Sequence, residues 1–237
     1  MNSRIIVALD FESGKQASNF LENLDPDECR VKIGKELFTS SGPDFVRSVV
    51  AKGFDVFLDL KYHDIPNTVA KAATVAADLG VWMLNVHASG GLAMMSETRS
   101  ALEKFGEDRP KLIAVTVLTS MVEEDLRQVG VESQPLEQVV KLAELTKQAG
   151  LDGVVCSAAE SKVLREHCGD DFCLVTPGIR RIEDAAGDQK RVVGPADAIL
   201  NGSDYLVVGR PITKATAPNS TLAEFNSAVA GALKSLS

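Results

Sequence analysis

Eight short β-branched runs, each separated from the next by a stretch with helical character, set the narrowest limit on how this chain can fold. The runs cover residues 4–10, 29–34, 55–61, 83–88, 111–118, 153–157, 172–177 and 205–209. Between them apolar side chains recur at steps of three and four: Phe20, Leu21 and Leu24; Phe45, Val46, Val49 and Val50; Val69, Ala73, Ala76 and Ala77; Leu136, Val139, Val140, Ala143 and Leu145. Short strands alternating with amphipathic helices read as βαβ units on a parallel sheet. Gly53, Gly80 and Gly150 each stand just past a helical pattern and before a strand, where a left-handed cap is wanted.

Eight such units in 237 residues fit a closed (β/α)8 TIM barrel better than an open doubly wound sheet. No GxGxxG or GxxxxGK[ST] pattern follows any run, which weakens the dinucleotide-fold and P-loop alternatives. No Pro-, Ser- or Gly-rich linker divides the chain, so residues 1–237 are expected to form one catalytic domain. The 45% hydrophobic and 24% charged content excludes a disordered or collagen-like chain. The net charge of −8, from 25 basic and 33 acidic residues, sets the molecule's field against nucleic acid and anionic membrane. A phosphate ligand must then be held by a local cationic site.

Cys29, Cys156, Cys168 and Cys173 form no CxxC pair, and three lie in or beside apolar runs, so buried reduced thiols are expected rather than a disulfide framework or zinc site. The apolar run at residues 5–9 is too short and too soon charged for a signal peptide, and nothing approaches the ~20 apolar residues of a membrane span. A cytoplasmic location is the corresponding expectation.

Polar residues gather at the strand ends. Asp10 closes the first run, Lys32 lies inside the second, Asp59 and Lys61 close the third, His87 ends the fourth, Thr119 and Ser120 follow the fifth, Ser157 ends the sixth and Arg210 follows the eighth. A barrel collects these carboxyl ends at one mouth, where barrel enzymes keep their sites. Loop starts are often polar through capping alone, but that leaves Lys32, inside an apolar strand, unexplained.

The densest segment is Asp59-Leu60-Lys61-Tyr62-His63-Asp64-Ile65-Pro66-Asn67-Thr68. Positions 59 and 61 lie two apart on a strand and so share a face, toward the barrel interior, while Asp64 comes after the strand and Pro66 suits a helix entrance. A structural ion pair is the plain alternative to chemistry here. His63 with Asp59, Asp64 and His87 also offers metal-type donors, although ordinary hydrogen-bonded histidines account for them better. Trp82 reads as core or subunit interface.

The segment resembles the motif of the orotidine 5′-phosphate decarboxylase family, Asp-x-Lys-x-x-Asp followed by Ile or Val, a small residue or Pro, and Thr. Family-like stretches continue from about residue 4 to 216, among them Val31-Lys32-Ile33-Gly34, Asn85-Val86-His87-Ala88, Thr116-Val117-Leu118-Thr119-Ser120, Thr176-Pro177-Gly178-Ile179-Arg180, Gly187-Asp188-Gln189 and Val208-Gly209-Arg210-Pro211-Ile212-Thr213. The resemblance implies a homodimer with shared active sites that converts orotidine 5′-monophosphate to uridine 5′-monophosphate and CO2, the last step of de novo UMP biosynthesis, with no cofactor and no metal. It implies Lys61 as proton donor to C6 of the pyrimidine, Asp59 beside the substrate carboxylate, and Asp10 and Lys32 at the ribose, with Lys32 also belonging, as a catalytic residue, to the charged Lys-Asp-Lys-Asp array that Asp64 completes. It further implies Asp64, Ile65 and Thr68 reaching the neighbouring subunit's site, Thr119 or Ser120 with Pro177 at the base, and Arg180, Gln189, Gly209 and Arg210 at the phosphate.

The residues carry part of that expectation themselves. Decarboxylation at C6 develops carbanion charge with no adjacent electron sink, and a fixed ammonium both stabilises that charge and donates the proton. Carboxylates at positions 59 and 64 favour the charged form of the ammonium. Barrels often bind phosphate with the loops after strands 7 and 8, and the connection between Gly178 and Gly194 is long enough for a lid, with a plain surface insertion as the alternative. A sister barrel enzyme using a divalent metal on a sugar phosphate is the nearest rival, and a non-catalytic phosphosugar-binding protein is a more distant one.

Overall fold

Alternation within the strands builds the molecule. In the computed structural model, which describes residues 3–181 and 193–236, eight parallel strands close into a barrel in the order of the sequence. They are β1 (Ile5–Ala8), β2 (Arg30–Gly34), β3 (Val56–Tyr62), β4 (Met83–His87), β5 (Lys111–Val115), β6 (Gly153–Val155), β7 (Cys173–Pro177) and β8 (Tyr205–Val208). Closure is made by β1 against β8, with Ile5, Ile6 and Val7 opposite Leu206, Val207 and Val208.

Every second side chain faces inward. Ile6, Ala8, Phe57, Met83, Ile113, Cys173, Val175 and Val207 form one buried cluster that fills the barrel. Their neighbours Ile5, Val7, Val31, Ile33, Leu58, Leu84 and Leu112 join the larger cluster beneath the helices. This is the side-chain period of two expressed on a sheet buried on both faces. Gly153 is required where β6 meets β7, because a Cβ there would lie 2.0 Å from the carbonyl oxygen of Cys173.

The covering helices are α1 (Gly14–Leu21), α2 (Lys35–Ala51), α3 (Pro66–Asp78), α4 (Gly91–Ala101), α5 (Glu123–Gln128), α6 (Pro135–Gln148), α7 (Ser161–Cys168), α8 (Pro195–Leu200), α9 (Arg210–Thr213) and α10 (Pro218–Leu236). Val46 and Val49 of α2, Val69 and Ala73 of α3, and Val139 and Ala143 of α6 are buried, as their spacing predicts. Gly53, Gly80 and Gly150 all adopt positive φ, at 92°, 80° and 76°, and turn the chain back toward a strand. No described helix is long and apolar enough to cross a membrane.

The hydrogen-bonded ladders are shorter than several of the apolar runs. β1 stops at Ala8 and β5 at Val115, so Asp10, Thr119 and Ser120 stand on the loops beyond the ladder rather than on it. All four cysteines are free and buried. Burial pushes the thiols of Cys29, Cys156 and Cys173 up to about 12, which leaves them protonated and inert at neutral pH. At the amino-terminal end of the barrel, Trp82 meets Tyr205 edge to face at 5.0 Å and carries the Arg30 guanidinium 4.4 Å above its ring. Trp82 therefore belongs to the bottom plug of the barrel, far from the carboxyl-end mouth.

Candidate active site

The inward register of β1, β2 and β3 brings four charges to the mouth. Positions 8 and 10, 32 and 34, and 57, 59 and 61 continue the inward-facing set, so Asp10, Lys32, Asp59 and Lys61 converge. Lys61 Nζ lies 2.6 Å from Oδ1 of Asp59, Lys32 Nζ lies 3.4 Å from its Oδ2, and Lys32 also reaches Oδ1 of Asp10 at 3.2 Å. The result is a chain of alternating charge, Asp10, Lys32, Asp59, Lys61. Its outer end is open, with 65% of the Asp10 side chain exposed, and its centre is closed, with Asp59 at 11%.

Gly34 makes room for this array. A Cβ at that position would lie 3.1 Å from Lys32 Nζ. Burial alone would raise the pKa of Asp59, but the Lys32 and Lys61 ammonium groups, with hydrogen bonds from Lys61 and Asn85, together hold its carboxyl below the usual range. Asp59 is therefore an anion at neutral pH despite its burial.

The third strand does not remain regular up to Lys61. Its pairing with β4 shifts between Leu58 and Tyr62, and Lys61 has a φ of 54°, the one left-handed non-glycine among the described residues. The strand alternation predicted for positions 59 and 61 thus gives the right destination by an irregular route. Asn85, fully buried on β4, bridges the irregularity: its Nδ2 donates to Oδ1 of Asp59 at 2.7 Å, and its Oδ1 accepts the Lys61 backbone N–H at 2.8 Å. Sequence reasoning gave Asn85 no role. The available signal was a lone amide at an inward position in the middle of β4, between Leu84 and Val86.

Two cavities open beside the array. One, of about 160 Å3, is polar and lies between Asp10, Lys32, Lys35 and Glu36. The other, of about 210 Å3, has Lys32, Asp59 and Lys61 on one wall, Val115, Val155, Val207 and Phe57 forming its apolar floor and side, and Thr119 and Pro177 at its rim. Thr119 lines this cavity, whereas Ser120 is exposed next to it on the turn closed by Met121 N–H and the Leu118 carbonyl. The array therefore presents an ammonium to a largely apolar slot.

Other predicted site residues stand apart from the array within one chain. Asp64 is exposed, and its Oδ1 accepts the Ile65 N–H at 2.7 Å; within a single chain, Asp59 is the carboxylate that pairs with Lys61. The chain leaves β3 at Tyr62, and this turn carries Asp64 away. Ile65, at the N-cap of α3, is 66% exposed, and Thr68 is exposed one turn later. Arg180 follows β7, while Gly209 follows β8 and leads into Arg210 at the start of α9, so both arginines rise on neighbouring loops at the mouth. Gln189 and most of the predicted lid lie outside the described residues. The His63 and His87 rings lie 5.6 Å apart and tilted by 40°, and burial, then His63 and nearby lysines, lowers the His87 pKa and favours its neutral ring.

A charged array at the carboxyl end of a closed parallel barrel, opening into a small apolar slot, has the layout of a (β/α)8-barrel enzyme site for a small molecule. The known proteins it resembles narrow this class. The chain belongs to the orotidine 5′-phosphate decarboxylase / HUMPS family, whose model matches residues 3–225. It is 58% identical over 230 residues to orotidine 5′-phosphate decarboxylase of Haemophilus ducreyi, covering 97% of this chain and all of that one. The Haemophilus influenzae protein of the same name is also 58% identical, over 95% of this chain and 98% of its own length. Among solved structures, orotidine 5′-phosphate decarboxylase from Lactobacillus acidophilus superposes with a TM-score of 0.86 at 40% identity, covering 95% of this chain and 98% of that one.

Proposed function

We propose that the chain decarboxylates orotidine 5′-monophosphate to uridine 5′-monophosphate and CO2 in pyrimidine biosynthesis, with no metal or organic cofactor. The observation that carries the reading is the Lys61 ammonium, held against Asp59 on the wall of the apolar slot. The C6–carboxylate bond breaks, its electron pair stays on C6, and a proton passes from Lys61 Nζ to that carbon; solvent then restores the ammonium. One side chain supplies both the electrostatic stabilisation and the proton, so the chemistry calls for no external electron sink. Fixed charge in a slot that excludes water contributes far more than it would in bulk solvent toward the ~8–23 kcal/mol by which enzymes typically lower barriers.

The remaining site residues divide by their surroundings. Lys32 and Asp10, at the polar cavity, suit the ribose hydroxyls, and Thr119 or Ser120, with Pro177, suits the pyrimidine edge. Arg180, Gln189, Gly209 and Arg210 serve the phosphate: Gly209 allows close approach and the guanidinium groups provide forked donors. Asp64, Ile65 and Thr68 are exposed in the single chain, as residues serving a partner's site must be, and we read the working form as a homodimer of single-domain subunits, each spanning residues 1–237, in the cytoplasm.

The deciding assay follows the absorbance of orotidine 5′-monophosphate after EDTA treatment of the protein. Loss of the substrate band without added metal is expected. A persistent band, or turnover restored only by a divalent ion, would overturn the reading in favour of a metal-dependent sister enzyme.

A further inference from the structure

We infer that Asn85 is a positioning residue for the reaction: its side-chain amide fixes the Lys61 backbone and the Asp59 carboxylate in one rigid unit. The inference deepens the decarboxylase reading and rests on it for its kinetic consequences, while its structural content stands on the geometry alone.

Hydrogen-bond chemistry fixes the orientation of the amide. The Lys61 N–H is a donor and needs the amide oxygen, and the Asp59 carboxylate accepts only and needs the amide nitrogen. Both demands are met by one orientation, at 2.8 Å and 2.7 Å. A reversed amide would place oxygen against carboxylate and nitrogen against N–H. Asn85 itself is fully buried and sits on β4, whose inward positions Met83 and His87 lie on either side of it. The regular ladder to β3 is interrupted beside it, and the Asn85 side chain takes the place of the missing backbone acceptor.

Two consequences follow from the linkage. Lys61 holds a left-handed conformation that a side chain with a Cβ rarely adopts, so its N–H must be held for the ammonium to point at Asp59 rather than relax along a regular strand. The same Oδ1 of Asp59 that receives Asn85 also receives Lys61 Nζ, so the amide sets the rotation of the carboxylate to which the proton donor is aligned. Losing the amide removes one of the interactions that keep Asp59 ionised. A purely structural asparagine would affect folding and leave the ionisation of Asp59 and the alignment of Lys61 untouched.

The test compares Asn85→Ala and the isosteric Asn85→Asp with the unaltered chain. In folded Asn85→Ala, kcat should fall about ten- to hundredfold with KM changed less than about threefold, and the acid limb of the kcat profile should move to higher pH. Asn85→Asp keeps shape and an acceptor for Lys61 but sets a second carboxyl against Asp59; it should share the kcat loss and the displaced limb, and it decides the matter if Asn85→Ala does not fold. Wild-type kcat and an unmoved limb in a folded variant, or lowered melting temperature with both kinetic features intact, would overturn the inference. Should the unaltered chain itself fail to decarboxylate the nucleotide, the functional reading falls separately. Carboxyl 13C NMR then judges Asn85 alone: an upward displacement of the Asp59 titration in the variants supports it, and an unchanged titration refutes it.

Discussion

Lys32 Nζ reaches Oδ2 of Asp59 at 3.4 Å, the carboxylate oxygen that Lys61 leaves free. Asp59 is thus contacted at both oxygens, by Lys32 on one and by Lys61 and Asn85 on the other. This arrangement gives Lys61 its direction, and it makes the ammonium the first group to test. Lys61→Ala should keep the fold, since it removes a partly exposed side chain and leaves Asp59 paired to Lys32. Decarboxylation should fall by about 10²–10⁴-fold or more, the range for a lost general acid, in an absorbance assay on protein with unchanged circular dichroism. Turnover at the original rate would remove Lys61 from its role.

The barrel owes its legibility to one rule. Inward positions share a parity on every strand, so the four charges at 10, 32, 59 and 61 could be placed at one mouth from the sequence, and the glycines at 53, 80 and 150 mark the returns between units. What stayed hidden depends on partners far apart in the chain or on local departures from the rule. The two bonds of Asn85 reach 24 and 26 positions back, and nothing near it in sequence announces them. The left-handed turn at Lys61 has no glycine or asparagine to signal it, and the hydrogen bond that accompanies it comes from another strand. Within one chain the turn out of β3 carries Asp64 away from the Lys61 ammonium, so its expected place at a neighbouring subunit's site depends on a contact that one chain's sequence pattern does not encode.

At the amino-terminal end of the barrel, Arg109 holds Asp152 through two bonds of 2.7 Å, and the Leu112 N–H adds a third of the same length. Burial by itself would raise the Asp152 pKa, but Arg109 and that N–H draw it below the ordinary carboxylate value. A folded value below the unfolded one means stability that is fully present above the unfolded pKa, about 3.9, and is lost as pH falls through the folded value. Asp152→Ala should therefore destabilise the protein by about 2 kcal/mol at neutral pH, with the difference from the parent shrinking below about pH 4. Urea midpoints measured across pH 3–7 check this; a constant difference over that range would show that the charge is not the cause.

Arg210 stands exposed at the start of α9, directly after Gly209, with no described acid within salt-bridge distance. A guanidinium placed there is available for a phosphate at the mouth, and its removal should leave stability nearly unchanged. Arg210→Ala should lower kcat/KM by about tenfold or more, chiefly through KM, on the phosphorylated nucleotide. The unphosphorylated nucleoside provides the control, because its slow turnover should be indifferent to the substitution. Equal losses on both substrates would place Arg210 in some other role.

Asp64, Ile65 and Thr68 are all exposed at the entrance and first turn of α3, with Ile65 66% exposed. If they complete the site of a second copy, damage at Asp64 and damage at Lys61 belong to different sites in a mixed dimer. Lys61→Ala and Asp64→Ala homodimers should each be nearly inactive. Mixing them under conditions of demonstrated subunit exchange should restore one intact site per hybrid, formed by the native Lys61 of one subunit and the native Asp64 of the other. With equal input and random pairing, half of the dimers are hybrids with one working site of two, so recovery approaches about one quarter of the parent activity per subunit. No recovery despite verified exchange would confine each site to a single chain and assign the exposed Ile65 to some other contact.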